Sequence, residues 1–141
     1  FDSTLNLAAL LANHEKPEHA RTLLERAVKL KPESDEAEVN LAVVLERLGQ
    51  PNEALGHYLK AVELGTEDPR AYFRLAVLFA LKSEKQESLK YLRGCFEREP
   101  QKYVPLVLGN LRGVRSEFDS VRYTPEFGNL LDEYREYWGE K

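Results

Sequence analysis

Three histidines, one cysteine and a scatter of carboxylates are the side chains through which this 141-residue chain could do covalent or metal chemistry. His14 falls in a break between apolar stretches and His19 and His57 fall within such stretches, but none is spaced with another His or Cys as metal ligands require. Surface or packing roles are therefore expected, and no metal or cofactor is called for. Cys95 sits in an apolar stretch at a place where related stretches carry Ala, so a packing role and an inert thiol are expected of it. The acids between Glu63 and Asp68, and the pair Asp132 and Glu133, read as solvated faces or loops rather than an acid/base couple. G-x-S-x-G, a phosphate loop ending in GK[ST], and H-E-x-x-H are all absent, so the expectation is a protein that is not an enzyme. Arg70 and Arg74 lie four residues apart and hence on one face of a helix.

Composition narrows the field further. Charged residues make up 31% and apolar ones 43%, with 20 basic against 24 acidic residues and a net charge of −4. That balance offers no positive excess for displacing counterions from a phosphate backbone, so nucleic acid is not expected as the partner. A single Cys cannot form an internal disulfide, and no run of eighteen apolar residues could span a bilayer. The cytoplasm is the default compartment that follows. Opening at Phe1 without an initiator Met or a leader, the chain is expected to be a piece of something longer.

The elements that position these residues come in a repeat. Shifting the sequence by 34 residues lays Leu7-Ala8 on Leu41-Ala42 and Leu75-Ala76, then Ala20 on Ala54 and Ser88, and Ala27 on Ala61 and Cys95. Small residues recur at three separate offsets, which apolar bias alone does not produce. Within each unit the apolar residues follow helical spacing twice, giving two antiparallel helices. Helices are predicted at about 3–14, 18–30, 36–48, 52–64, 69–82, 86–98 and 101–112. Pro17 and Pro51 suit first helical turns, Gly49 suits a left-handed helix end, and Lys31-Pro32 and Asp68-Pro69 punctuate the joints.

This pattern resembles the tetratricopeptide repeat family, whose 34-residue helix–turn–helix unit carries W-x2-L-G-x2-Y, then A-x3-F, then Ala and Pro. The second unit reads Leu41-Ala42-x2-Leu45, Ala54-x3-Tyr58 and Ala61, with Thr66 where Pro is usual; the third reads Tyr72-x2-Leu75-Ala76-x2-Phe79, Ser88-x3-Leu92, Cys95 and Pro100. Thr4 and Glu38 stand where the family has its aromatic, and only Tyr72 fits there. The resemblance implies an all-α fold, a right-handed α-solenoid of antiparallel helix pairs, with repeats at 1–34, 35–68 and 69–102. Residues 103–141 break the period and are expected to hold a partial fourth helix and a C-terminal capping helix. Thr124 as N-cap with Pro125 after it opens that helix, and Phe127, Leu130, Leu131, Tyr134 and Trp138 mark its apolar stripe.

The family's first helices line a concave groove where partners bind. The resemblance assigns to it Leu5, Asn6 and Ala9, then Val39, Asn40 and Val43, then Arg70, Phe73, Arg74 and Val77. An exposed stripe of Leu5, Ala9, Val39, Val43, Phe73 and Val77 is expected to mark an interaction surface. Asn6 and Asn40 carry carboxamides that can hold the backbone of an extended peptide. Arg70 and Arg74 could fork onto an acidic side chain or C-terminus, or pair instead with local acids such as Glu36 and Asp68. The function expected is a non-catalytic scaffold that binds a peptide or helix of a partner protein. Two alternatives stand beside it. One is the C-terminal regulatory region of a larger enzyme. The other is a self-association module in which Phe127, Leu131 and Trp138 fill a groove.

Overall fold

A computed structural model describes Leu5 and residues 16–112 and 116–138. Among these, all regular structure is helical: α1 Pro17–Leu30, α2 Asp35–Arg47, α3 Pro51–Glu63, α4 Pro69–Leu81, α5 Lys85–Arg98, α6 Pro100–Leu111 and α7 Pro125–Glu133, followed by a 3₁₀ turn over Arg135–Tyr137. The first six match the helices predicted from 18–30 onward to within a residue at every end. The helix predicted at 3–14 lies outside the described residues except for Leu5, which is helical and buried. None of the described helices is long and apolar enough to cross a membrane. The chain divides into two compact units, Phe1–Ala71 and Tyr72–Lys141.

In the first unit, Pro17 and Pro51 occupy opening turns of α1 and α3, where a missing N–H leaves no hydrogen bond unmade. Ser34 caps α2 by accepting from the Ala37 N–H at 3.2 Å. α2 and α3 are joined by three residues, a length that folds two helices back antiparallel. Ala20, Ala27, Ala42, Ala54 and Ala61 are all buried without exposure, so the small residues that set the repeat are the ones that let helices approach closely. Thr66, at the place where other units have Pro, is buried and its hydroxyl accepts from the Asp68 N–H at 3.2 Å, turning the chain into α4.

α2, α3 and α4 end in the same way. Gly49 has φ +78° and Gly65 has φ +88°; in each case its N–H and the next one reach back to carbonyls in the last turn, as in Gln50 N–H to Leu45 O at 2.9 Å. This is the left-handed ending that satisfies orphan carbonyls. Ser83, the residue 34 beyond Gly49, makes the same bonds at φ +60°, a conformation that costs a residue with a Cβ on the order of 1 kcal/mol. Ser83→Gly is accordingly expected to raise stability by about 0.5–1 kcal/mol, seen as a higher urea midpoint with an unchanged slope.

In the second unit, Ser88 takes the place of Ala20 and Ala54. It is fully buried, and its hydroxyl donates to the Ala76 carbonyl at 2.8 Å, which removes the cost of an unpaired polar group. Tyr72 fills the family's aromatic position. The Arg98 guanidinium lies 4.0 Å from its ring centroid, and a Cβ on Gly94 would come within 2.8 Å of the ring, so glycine there makes room for the tyrosine. Cys95 is buried, and burial pushes its thiol up to about 12, leaving no thiolate at neutral pH.

α7 begins as predicted, with the Thr124 hydroxyl accepting from the Phe127 N–H at 3.3 Å. It is shorter than the predicted stripe, because the helix stops at Glu133 and turns tightly to Trp138. The Trp138 indole N–H donates to the Leu131 carbonyl at 3.0 Å, so the residue expected to extend the helix instead satisfies one of its terminal carbonyls. The end of α7 and the Tyr134 that follows it meet α5. Arg93 and Glu133 form a two-pronged ion pair at 2.7 and 3.0 Å, and the Phe96 and Tyr134 rings meet edge-on at 5.3 Å. That pair holds the Glu133 carboxyl below the usual carboxylate range, mainly through the hydrogen bond.

Candidate functional site

The face assigned to partner binding lies on α2 and the start of α4 in the first unit, and on the rest of α4 in the second. On α2, Asn40 and Val43 are three residues apart and share one face; both are half-buried, whereas Val39 is fully buried. Arg70 is exposed at the start of α4. Its guanidinium grips Asp68 through Nε and Nη2, with Nη2 at 2.7 Å from Oδ2, and its Nη2 donates to the Asn40 Oδ1 at 3.4 Å. Asn40 and Arg70, assigned to the site from positions thirty residues apart, are thus brought into direct contact. The acid on Arg70 is a local one, Asp68.

On the second unit the stripe is covered. Phe73 and Val77 are buried, and Leu5 and Val39 of the first unit are buried as well. This corrects the expectation of an exposed apolar stripe running through these positions. The physical reason at Phe73 is plain: the Tyr103 ring of α6 packs 5.2 Å from it, and the Phe118 ring meets it edge-on at 6.1 Å. Phe118 belongs to a segment of turns between α6 and α7. In the same segment, Glu117 lies 3.9 Å from the half-buried Arg74, and the Ser120 hydroxyl donates to the Ala80 carbonyl. Residues 117, 118 and 120 therefore lie on α4 at Arg74, Phe73 and Ala80, and the chain itself occupies this part of the face.

Asn6 and Ala9 lie outside the described residues. Phe127 and Leu131, two of the three residues suited to self-association, are buried within the second unit, and Trp138 is half-buried and bonded to Leu131. Two features escaped the sequence reading. The first is the apposition of the 116–124 segment to α4, which no local pattern encodes. The second is a part-buried polar pair: Glu38, only 4% exposed, meets Nδ1 of the half-buried His57 at 2.7 Å. The third-repeat counterparts of these two residues are Tyr72 and Tyr91, whose rings lie 6.4 Å apart. An aromatic pair in one repeat is thus replaced by a hydrogen-bonded acid and imidazole in another, and the repeat register carries the signal that could have found it. Beside this pair, Glu25, Val28, Lys29, Leu41 and His57 line a shallow hollow of about 350 Å³. Among the described residues no three His, Cys, Asp or Glu side chains gather into a metal-binding group.

Comparison with known proteins places this geometry. The profile of the family described as Tetratricopeptide repeat matches residues 5–69 and 46–95. No curated protein matches the sequence. Among solved structures, the crystal structure of MamA protein superposes with a TM-score of 0.68 at 19% identity, covering 97% of this chain and 68% of that one. The MamA RS-1 ArsTM double mutant gives 0.67 at 20% identity, over 99% of this chain and 78% of that one. YrrB, described as a TPR protein with an unusual peptide-binding site, gives 0.51 at 18% identity, over 95% and 84%. At these identities the likeness shows the fold, an all-α array of repeated helix pairs.

Proposed function

The chain belongs to the tetratricopeptide repeat family, whose repeats serve as protein-interaction scaffolds, and on that premise we propose that it is a non-catalytic module. Its first-helix face on the first unit holds a peptide or helix of a partner protein. The observation that carries this reading is the contact of Asn40 with Arg70 beside the half-buried Val43. A carboxamide offers donors and an acceptor to a peptide backbone, and Val43 adds apolar area next to it. Arg70 is already neutralised by Asp68, so a partner's acid would have to compete for it. Asn40 and Val43 then carry more of the binding than a charge clamp does, and Leu5 and Val39, both buried, belong to the core. The repeats at 1–34, 35–68 and 69–102 and the closing segment at 103–141 are the units in which this surface is organised. The YrrB structure, with its peptide-binding site on the same kind of fold, is consistent with this use.

The test compares capture of partner proteins by the intact chain and by Asn40→Ala combined with Arg70→Glu. A loss of at least tenfold in affinity for the captured partner, with helicity unchanged by circular dichroism, is expected. Undiminished binding by the folded double variant would overturn the proposal. Asn40→Ala alone is expected to weaken an extended ligand more than a helical one, because a helix has already satisfied its own backbone groups.

A further inference from the structure

The α4 face of the second unit is filled by side chains in a definite chemical order: an acid at Glu117 on Arg74, an aromatic ring at Phe118 on Phe73, and a hydroxyl at Ser120 on the Ala80 carbonyl. The segment that carries them is made of turns, and its own backbone bonds run within it, as in Val121 N–H to Phe118 O at 2.9 Å and Thr124 N–H to Val121 O at 3.0 Å. It meets α4 through these three side chains and α6 through others: Glu117 also accepts from the Asn110 amide at 3.3 Å, and the Arg122 guanidinium donates to the Leu111 carbonyl at 2.8 Å. α7, which follows it, has separate anchors on α5 through Arg93 with Glu133 and Phe96 with Tyr134. The Phe118 ring also stacks on Phe127 of α7 at 6.2 Å, so the segment and α7 share a contact as well.

We propose that this α4 face is a recognition site for a short acidic–aromatic peptide of a partner protein, in the order acid, aromatic, any residue, hydroxyl, and that residues 116–124 are its resident intramolecular occupant. The positive Arg74 beside the Phe73 ring provides the charge complementarity, since an acid followed directly by an aromatic meets both at once. A tethered occupant acts at an effective concentration in the millimolar range. A free peptide of the same order therefore gains the face only where the resident grip is weakened or where the partner brings additional contacts.

The experiment uses the full chain and a fluorescently labelled synthetic peptide of residues 116–124, with binding followed by anisotropy. Phe118→Ala removes the resident anchor and is expected to bind the peptide at least tenfold more tightly than the wild-type chain does. The same peptide with Ala in place of its Phe is expected not to bind, and Arg74→Glu added to Phe118→Ala is expected to weaken binding at least fivefold. A folded Phe118→Ala chain that ignores the peptide, or that binds the Ala-substituted peptide equally well, overturns the proposal. Should Phe118→Ala fail to fold, Glu117→Ala with Ser120→Ala releases the two polar grips while keeping the ring. At least a fivefold gain in peptide binding over wild type is then expected, and no gain overturns the proposal. Solution mass is measured in parallel. A wild-type dimer that Phe118→Ala abolishes would make a second copy the occupant and would overturn the reading as a partner-peptide site.

Discussion

Replacing Phe118 by Ala is expected to lower the stability of the folded chain by about 3–5 kcal/mol, the range for truncating a fully buried aromatic side chain. The ring is 0% exposed and is surrounded by other rings, with Phe73 edge-on at 6.1 Å and Phe127 stacked at 6.2 Å. Removing it loses the transfer free energy of the ring and leaves a cavity that rigid neighbours cannot close. Phe118→Leu retains most of the buried volume and is expected to cost about 1 kcal/mol. Urea unfolding followed by far-ultraviolet circular dichroism measures both values. Equal, small losses for Ala and Leu would show that the segment contributes little to the core of the second unit. Because single domains are stable by about 5–15 kcal/mol, the Ala variant is expected to remain folded in buffer but to unfold at a much lower urea concentration.

The second large effect concerns the polar pair inside the first unit. His57→Leu is expected to cost about 1–3 kcal/mol, because it strands a carboxylate that is only 4% exposed without its 2.7 Å partner. Glu38→Leu with His57→Leu, which removes donor and acceptor together, is expected to be nearly neutral, since the desolvation cost disappears with the pair. The coupling energy from the full double-mutant cycle should therefore exceed 1 kcal/mol. Additive single effects, with the double variant as unstable as their sum, would show that the pair is not a coupled unit. The contrast with Tyr72 and Tyr91 in the third repeat gives the physical setting. The repeat's geometry brings these two positions together, and either ring contact or a hydrogen bond can satisfy them.

Both predictions depend on features of different legibility. Glu38 stood out in the sequence as a charge at an aromatic position, but its partner was hidden because the repeat consensus says nothing of which polar group faces it. Phe118 lay in a stretch recognised as a closing segment, yet its resting place on α4 is set by contact with Phe73, forty-five positions earlier. Arg70 and Arg74 were legible as a pair on one helix face. Their acids, Asp68 and Glu117, differ in how far they lie along the chain, and only the nearer one was foreseen.

By itself the sequence determined helices α1 to α6 with their ends and the start of α7, since helical periodicity, Pro in first turns, the Thr124 cap and the left-handed Gly49 are all local in the chain. It also determined which small residues meet, because a strict 34-residue period forces Ala76 and Ser88 into the same relation as Ala42 and Ala54. Only the tertiary structure decided which parts of the binding face are covered. That depends on where an aperiodic segment comes to rest, and its position is set by the burial of Phe118 and Val121 and by polar contacts to α4 and α6, among them pairs about forty positions apart, for which no local pattern exists.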